Sequence, residues 1–301
     1  MRGRAPAILV VLICWAAGLL LLPPMNIVTG AVIGLVTLRK GALEGVIVTL
    51  AAGLILGVLA FFSAWGTTLS VTFLVSVAFI LLPVWLLAVI LRNSVSLALV
   101  TTVAALMGVF GVIAVHVALG DTAAWWYGEL NRFIKPAFEG SGAMGVGPEQ
   151  FERGLRTMAS VMTGLMSAGM MISALMSVFI ARSVQAMLYN PGGFKEEFLQ
   201  LRLGSPLAFV TIALLAVTIF TNGSALRFVI DVLIVLGSVY LLQGTAIVHA
   251  VIAKTGRHVA WLIALYALLF IVPHAAALVA VLGLTDRWVD FRVRFGAKPQ
   301  A

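Results

Sequence analysis

Apolar positions in this chain fall in long runs that charge does not interrupt. Residues 45–91, between Glu44 and Arg92, carry no charged side chain, and the pattern recurs at 5–38, 93–120, 157–181, 203–226 and 259–285. The hydrocarbon core of a bilayer takes about 20 apolar residues per helix, so the 45–91 run holds two crossings joined by a neutral turn near 63–68. Nine apolar segments can be drawn, at about 5–22, 25–38, 42–62, 69–91, 94–119, 156–181, 205–221, 227–253 and 259–284. The pattern predicts an all-α fold, a polytopic transmembrane helical bundle of about 8–9 membrane segments in a single integral membrane domain over 1–301. The first two segments are short and split by Pro23-Pro24. Proline removes a backbone donor and breaks a helix, so a full hairpin and a shallow re-entrant pair both fit them.

Two stretches interrupt the apolar pattern. Residues 120–155 read as an external loop. Within it Trp126, Leu130, Phe133, Ile134 and Phe138 recur at helical spacing, while Glu129, Arg132 and Lys135 take other faces. That describes a helix lying in the interface, with Trp125, Trp126 and Tyr127 at headgroup depth. The glycine-rich 140–147 stretch makes a joint, and Pro148 suits the first turn of a helix running to about 185, longer than a bilayer is thick. Residues 183–204 read as a cytoplasmic loop, in which Asn190-Pro191-Gly192-Gly193 is a turn signal and Phe194, Phe198 and Leu201 line a short amphipathic helix.

Composition sharpens the class. Of 301 residues 62% are hydrophobic and 10% charged, against about 25% charged in soluble domains. The net charge of +8 does not point to nucleic acid, because most basic residues sit at the ends of apolar runs, where they read as topology signals. Arg2, Arg4, Arg39, Lys40, Arg92, the stretch Arg182 to Arg202, Lys254 and Arg257 fall on one side, the cytoplasmic one, if every segment from the third onward crosses once. The same count leaves the C-terminal tail outside despite Arg287, Arg292, Arg294 and Lys298, so either the tail is an exception or one late segment does not span. The first segment reads as retained rather than as a cleaved signal, since no small-x-small site follows it.

Candidate chemistry is sparse. Cys14 is the only cysteine, so no disulfide within the chain and no cysteine metal cluster is possible. No phosphate-loop, zinc-helix or nucleophile-elbow motif is present, so no catalytic residue, metal or cofactor is expected and no ATP hydrolysis by the chain itself. The four histidines fall in separate segments. Asp231 is the only carboxylate set well inside an apolar segment, Glu44 standing at the edge of its own, and ionisable groups so placed are functional by default. It lies four residues after Arg227, which also permits an interfacial i,i+4 pair. Gln243 and His249 are further polar candidates on the same segment. His249 is 18 residues beyond Asp231, about 27 Å at 1.5 Å per residue, and cannot touch it. Met162 and Met166, within a run of methionines from Met158 to Met170, fit an adaptable apolar ligand site or plain lipid-facing packing. Gly30/Gly34, Gly41/Gly45 and Gly53/Gly57 are small-xxx-small pairs that let helix backbones approach, within this chain or against a partner subunit. The tail from Asp286 to Arg294 alternates charge signs with aromatics and reads as an interfacial anchor.

Several stretches resemble the YybS-like predicted membrane protein family, a bacterial group. They are Leu35-Val36-Thr37-Leu38-Arg39-Lys40-Gly41 with Glu44-Gly45; Tyr189-Asn190-Pro191-Gly192-Gly193-Phe194 with Glu197-Phe198 and Leu201-Arg202-Leu203; and Gly283-Leu284 followed by Asp286, Trp288 and Asp290-Phe291-Arg292. That family is in turn distantly similar to the substrate-binding membrane components of energy-coupling-factor vitamin transporters, which bind a small molecule within a helix bundle and borrow ATPase subunits. The resemblance implies a multi-pass protein of the bacterial cytoplasmic (inner) membrane, a transporter-like component without its own ATPase. Its expected partners are the lipid bilayer, a small apolar ligand and an ATPase or other membrane subunit. The alternative is a membrane scaffold that recruits partners through Asn190, Pro191, Gly192, Gly193, Phe194, Glu197 and Arg202.

Overall fold

The computed structural model describes residues 4–20, 25–62, 81–140 and 147–295. The turn at 63–68, the first part of segment 69–91, the Pro23-Pro24 break, most of the glycine joint, Arg2 and Lys298 lie outside them. Among the described residues every regular element is helical. In chain order they are α1 (Arg4–Leu20), α2 (Met25–Lys40), α3 (Ala42–Phe61), α4 (Leu82–Ser94), α5 (Leu97–Leu119), α6 (Thr122–Gly140), α7 (Pro148–Tyr189), α8 (Gly193–Leu199), α9 (Ser205–Val217), α10 (Gly223–Thr255), α11 (Ala260–Ile271), α12 (Pro273–Val289) and α13 (Phe291–Arg294).

Three of these helices, α5, α7 and α10, are long and apolar enough to cross a membrane. They form the central core. Val100, Ala104, Ala105 and Val112 of α5 meet Ala168, Met171, Leu175 and Val178 of α7 and Val232, Val235, Leu236 and Val239 of α10. Alanine and valine make up nine of these twelve side chains, and in lipid the helices gain from close packing rather than from water exclusion. At 42 residues, α7 extends for about 63 Å and overhangs one end of the bundle. The amphipathic α6 lies on that overhang, with Leu130 packed among Leu155, Ala159 and Met162, and Trp126 and Ile134 alongside. Phe133 departs from the expected apolar face and is exposed.

Helices α1, α2 and α3 form a second cluster around Val11, Ile33 and Val48. At 17 and 16 residues, α1 and α2 are each about 25 Å long, somewhat short of a 30 Å hydrocarbon core. The pair Gly30 and Gly34 faces α7 within the chain: a Cβ on Gly30 would sit 2.5 Å from the Ser177 hydroxyl, and one on Gly34 3.0 Å from the Ala181 methyl. Gly53 is buried in α3, while Gly57 is half-buried.

The ends of the bundle differ sharply in charge. At the end opposite α6, Arg4 binds Glu44 at 2.6 Å, Arg39 reaches the Tyr189 hydroxyl, Arg92 caps the Leu38 carbonyl at 2.6 Å, and Arg182 is bonded to Glu197. The tail comes to this end too. Arg202 binds Asp290 at 2.6 Å, Arg292 donates to the Leu201 carbonyl at 2.6 Å, and Lys254 donates to the Arg292 carbonyl. The expected single crossing over 259–284 is therefore two helices. Pro273 cannot donate to the helix before it, and the chain breaks at Val272 and returns as α12. The tail thus joins the 183–204 loop, which removes the conflict in the charge pattern.

Polar braces fix this return. The Gln243 amide accepts from the Leu203 N–H and donates to the Gly283 carbonyl, both at 2.7 Å. Glycines let α12 lie directly on α10: a Cβ on Gly244 would be 2.0 Å from the Val279 carbonyl oxygen, and one on Gly283 2.0 Å from that of Tyr240.

Candidate functional site

Asp231 is the polar centre of the three-helix core. It sits eight residues into α10 and is 1% exposed. Its Oδ1 accepts the Gly164 backbone N–H of α7 at 2.8 Å, and its Oδ2 lies 2.8 Å from Nε2 of His116 on α5. One side chain thus ties the three long helices together. Gly164 is required for the approach, since a Cβ there would lie 2.7 Å from the Asp231 Cα and 2.8 Å from its Oδ1. A helix-interior N–H is normally spent on the carbonyl four residues back, so a side-chain oxygen this close to one demands a neighbour without a side chain. The His116 ring is held edge-on to Phe228 with centroids 5.2 Å apart.

Above this centre lies α6. Trp126 donates its indole N–H to the Thr163 hydroxyl at 2.9 Å, one residue from Gly164. Tyr127 is bonded to Glu152, which also pairs with Arg156 at 2.8 Å. The Tyr127 hydroxyl, first, and Arg156 then hold the Glu152 carboxyl below its ordinary value. Arg227, expected as a partner for Asp231, instead turns outward to Asp121 at 3.6 Å. The Asp231 oxygens are already taken up by His116 and Gly164, and Asp121, at the turn into α6, is the exposed carboxylate near Arg227.

The remaining candidates are spread through the fold. Met162 is buried beneath α6, whereas Met158, Met166 and Met170 are exposed on the outside of α7. Gln243 lies near the opposite end in the α10–α12 brace, and His249 bonds the Tyr266 hydroxyl at 2.9 Å and packs on Phe198. In the loop, Asn190, Pro191 and Gly192 form an exposed tip, with Gly192 in the left-handed region at φ +91. Gly193 is buried, and Phe194 and Phe198 turn inward onto Phe179. Glu197 and Arg202 are spent on the ion pairs described above. His116 escaped the sequence reading. The usable signal was depth: it lies one turn before Gly120 just as Asp231 lies one turn after Arg227, so both stand at a similar level below the same end of the bundle.

A fold that is all-helical among the described residues, with long apolar helices, an amphipathic roof and a buried polar pair beneath it, is that of a membrane protein. The chain belongs to the family described as Predicted membrane protein (DUF2232), whose model matches residues 7–287. No curated protein and no solved structure matches it.

Proposed function

We propose that this chain is a multi-pass protein of the bacterial cytoplasmic membrane, with about 8–9 membrane segments, that binds a small, partly apolar ligand between its helices. It acts as a transporter-like component that is not itself an enzyme and relies on an ATPase or other membrane subunit for energy. The YybS-like resemblance, and through it the distant similarity to substrate-binding components of energy-coupling-factor transporters, favours this reading. The single observation that carries it is Asp231, a carboxylate buried where α5, α7 and α10 meet and contacted by a histidine. Carboxylates inside membrane helices are costly and rare, and such groups mark substrate or ion pathways. Trp126 of the roof, bonded to Thr163, and Met162 beneath it cover this centre, so ligand entry requires α6 to lift from α7.

Native mass spectrometry of gently extracted protein tests the proposal. The wild type is expected to carry a small molecule or an ATPase subunit, and Asp231→Asn to lose the small molecule while keeping its fold. An empty, partnerless wild type counts against transport. The scaffold alternative rests on the exposed tip Asn190–Gly192. Replacing residues 190–194 by a neutral linker is then expected to strip cytoplasmic partners and leave the bundle folded.

A further inference from the structure

A cavity of about 440 Å³ beside the tail mixes Arg202, Lys254 and Arg292 with Glu196 and Asp290, so its charges cancel in part. A second cavity, of about 640 Å³, is different. It opens at the charged end among the C-terminal turns of α2, α4 and α7, and Arg39, Lys40, Arg92 and Arg182 line it without any carboxylate in its wall. We infer that this cavity binds the phosphate headgroup of an anionic phospholipid.

Three observations carry the inference. First, the cations come from three separate helices and converge on one space, rather than flanking one span each as topology signals do. Second, their existing partners leave charge to spare. Arg92 donates one guanidinium nitrogen to the Thr37 and Leu38 carbonyls, satisfying the end of α2. Arg182 is matched by Glu197. Arg39 is bonded to a neutral group, the Tyr189 hydroxyl, over whose ring its guanidinium lies at 5.2 Å. Lys40 has Glu44 in its neighbourhood, but that carboxylate is already held by Arg4. Helix C-termini attract cations, yet each supplies only about half a negative charge, and one of the three is capped already. Third, the wall is amphipathic. Leu38, Leu91 and Val95 share it with the cations. Val95 closes α4 at φ 50, a left-handed conformation that β-branched residues rarely adopt. A floor of aliphatic side chains under a ring of cations, at the end of membrane helices, matches a lipid headgroup with its glycerol and first methylenes. Basic pockets between membrane helices on the cytoplasmic side are established as sites for such headgroups.

The test uses the full-length protein reconstituted in nanodiscs of phosphatidylglycerol and phosphatidylcholine in equal parts, then released into native mass spectrometry. The wild type is expected to retain phosphatidylglycerol preferentially, and Arg39→Gln combined with Lys40→Gln to reduce that retention about tenfold. Both side chains are exposed, so the double variant is expected to fold. Arg257→Gln with Arg294→Gln, at the same end but outside this cavity, is expected to retain the lipid as the wild type does. Equal retention of the two lipids, or an unchanged preference in the Arg39/Lys40 variant, overturns the inference. So does loss of bound lipid on adding inorganic phosphate, which would assign the cavity to a soluble phosphate ligand. Because the readout is lipid, it is independent of whether Asp231 binds a transported molecule.

Discussion

At the residue scale the decisive group is Asp231. Its oxygens take one backbone N–H and one imidazole, so each neighbour can be removed separately. His116→Ala leaves Oδ2 buried without its partner, and an unmade buried hydrogen bond costs about 1–3 kcal/mol, more for a charged group. Thermal unfolding of the detergent-extracted variant is expected to show that loss, and Arg227→Gln, whose side chain faces Asp121, is expected to unfold within about 0.5 kcal/mol of the wild type. If Arg227 rather than His116 proved the sensitive position, the pairing described here would be wrong. Gly164→Ala is expected to be as damaging as His116→Ala, for a steric reason: the added methyl meets the Asp231 backbone, which cannot swing aside as a long side chain can. The pair was half legible in the sequence. Asp231 stood out because it was the lone carboxylate well inside an apolar segment. Its partner did not, because His116 lies 115 residues away and helical periodicity carries no information about which helix comes to lie beside which.

At the element scale, the last apolar segment shows what local pattern misses. Residues 259–284 look like one crossing by length and composition, yet Pro273 divides them, and the second half lies flat on α10 through Gly244 and Gly283. Proline marks a break, but whether the chain then kinks or reverses is decided by contacts such as the Gln243 bonds to Leu203 and Gly283. Gln243→Leu is expected to leave that N–H and that carbonyl buried and unpaired, at about 1–3 kcal/mol each, and to free α12 and the tail to proteolysis near residue 290. The tail also has a pH signature. The hydrogen bond from Arg202, the largest cause, holds the Asp290 carboxyl below its ordinary value. A carboxyl whose value is depressed on folding stabilises the folded state fully above the ordinary aspartate range, about pH 4, and loses that contribution as pH falls through the depressed value. Cleavage at the tail is therefore expected to rise on acidification below about pH 4, and to rise less in Arg202→Gln, where the contact is already absent.

At the scale of the whole molecule, the charge pattern and the packing agree. The helical class, the long helix from Pro148 and the amphipathic helix before it follow from periodicity, since runs of this length leave few alternatives in a bilayer. What periodicity could not supply was the two-ended arrangement: a charged end where 183–204, Lys254 and the tail meet, and a roofed end where α6 covers Asp231 and His116. The proposed ligand site and the proposed lipid site stand at opposite ends, so both depend on that arrangement. Sidedness labelling tests it most directly. In a Cys14→Ser background, Gln200→Cys, Arg294→Cys and Glu129→Cys are made singly and exposed, in sealed vesicles of known orientation, to a membrane-impermeant maleimide. Positions 200 and 294 are expected to react from the same, cytoplasmic side, and position 129 only from the other. Reaction of position 294 from the same side as position 129 would contradict the account, because the tail could not then be bonded to the 183–204 loop.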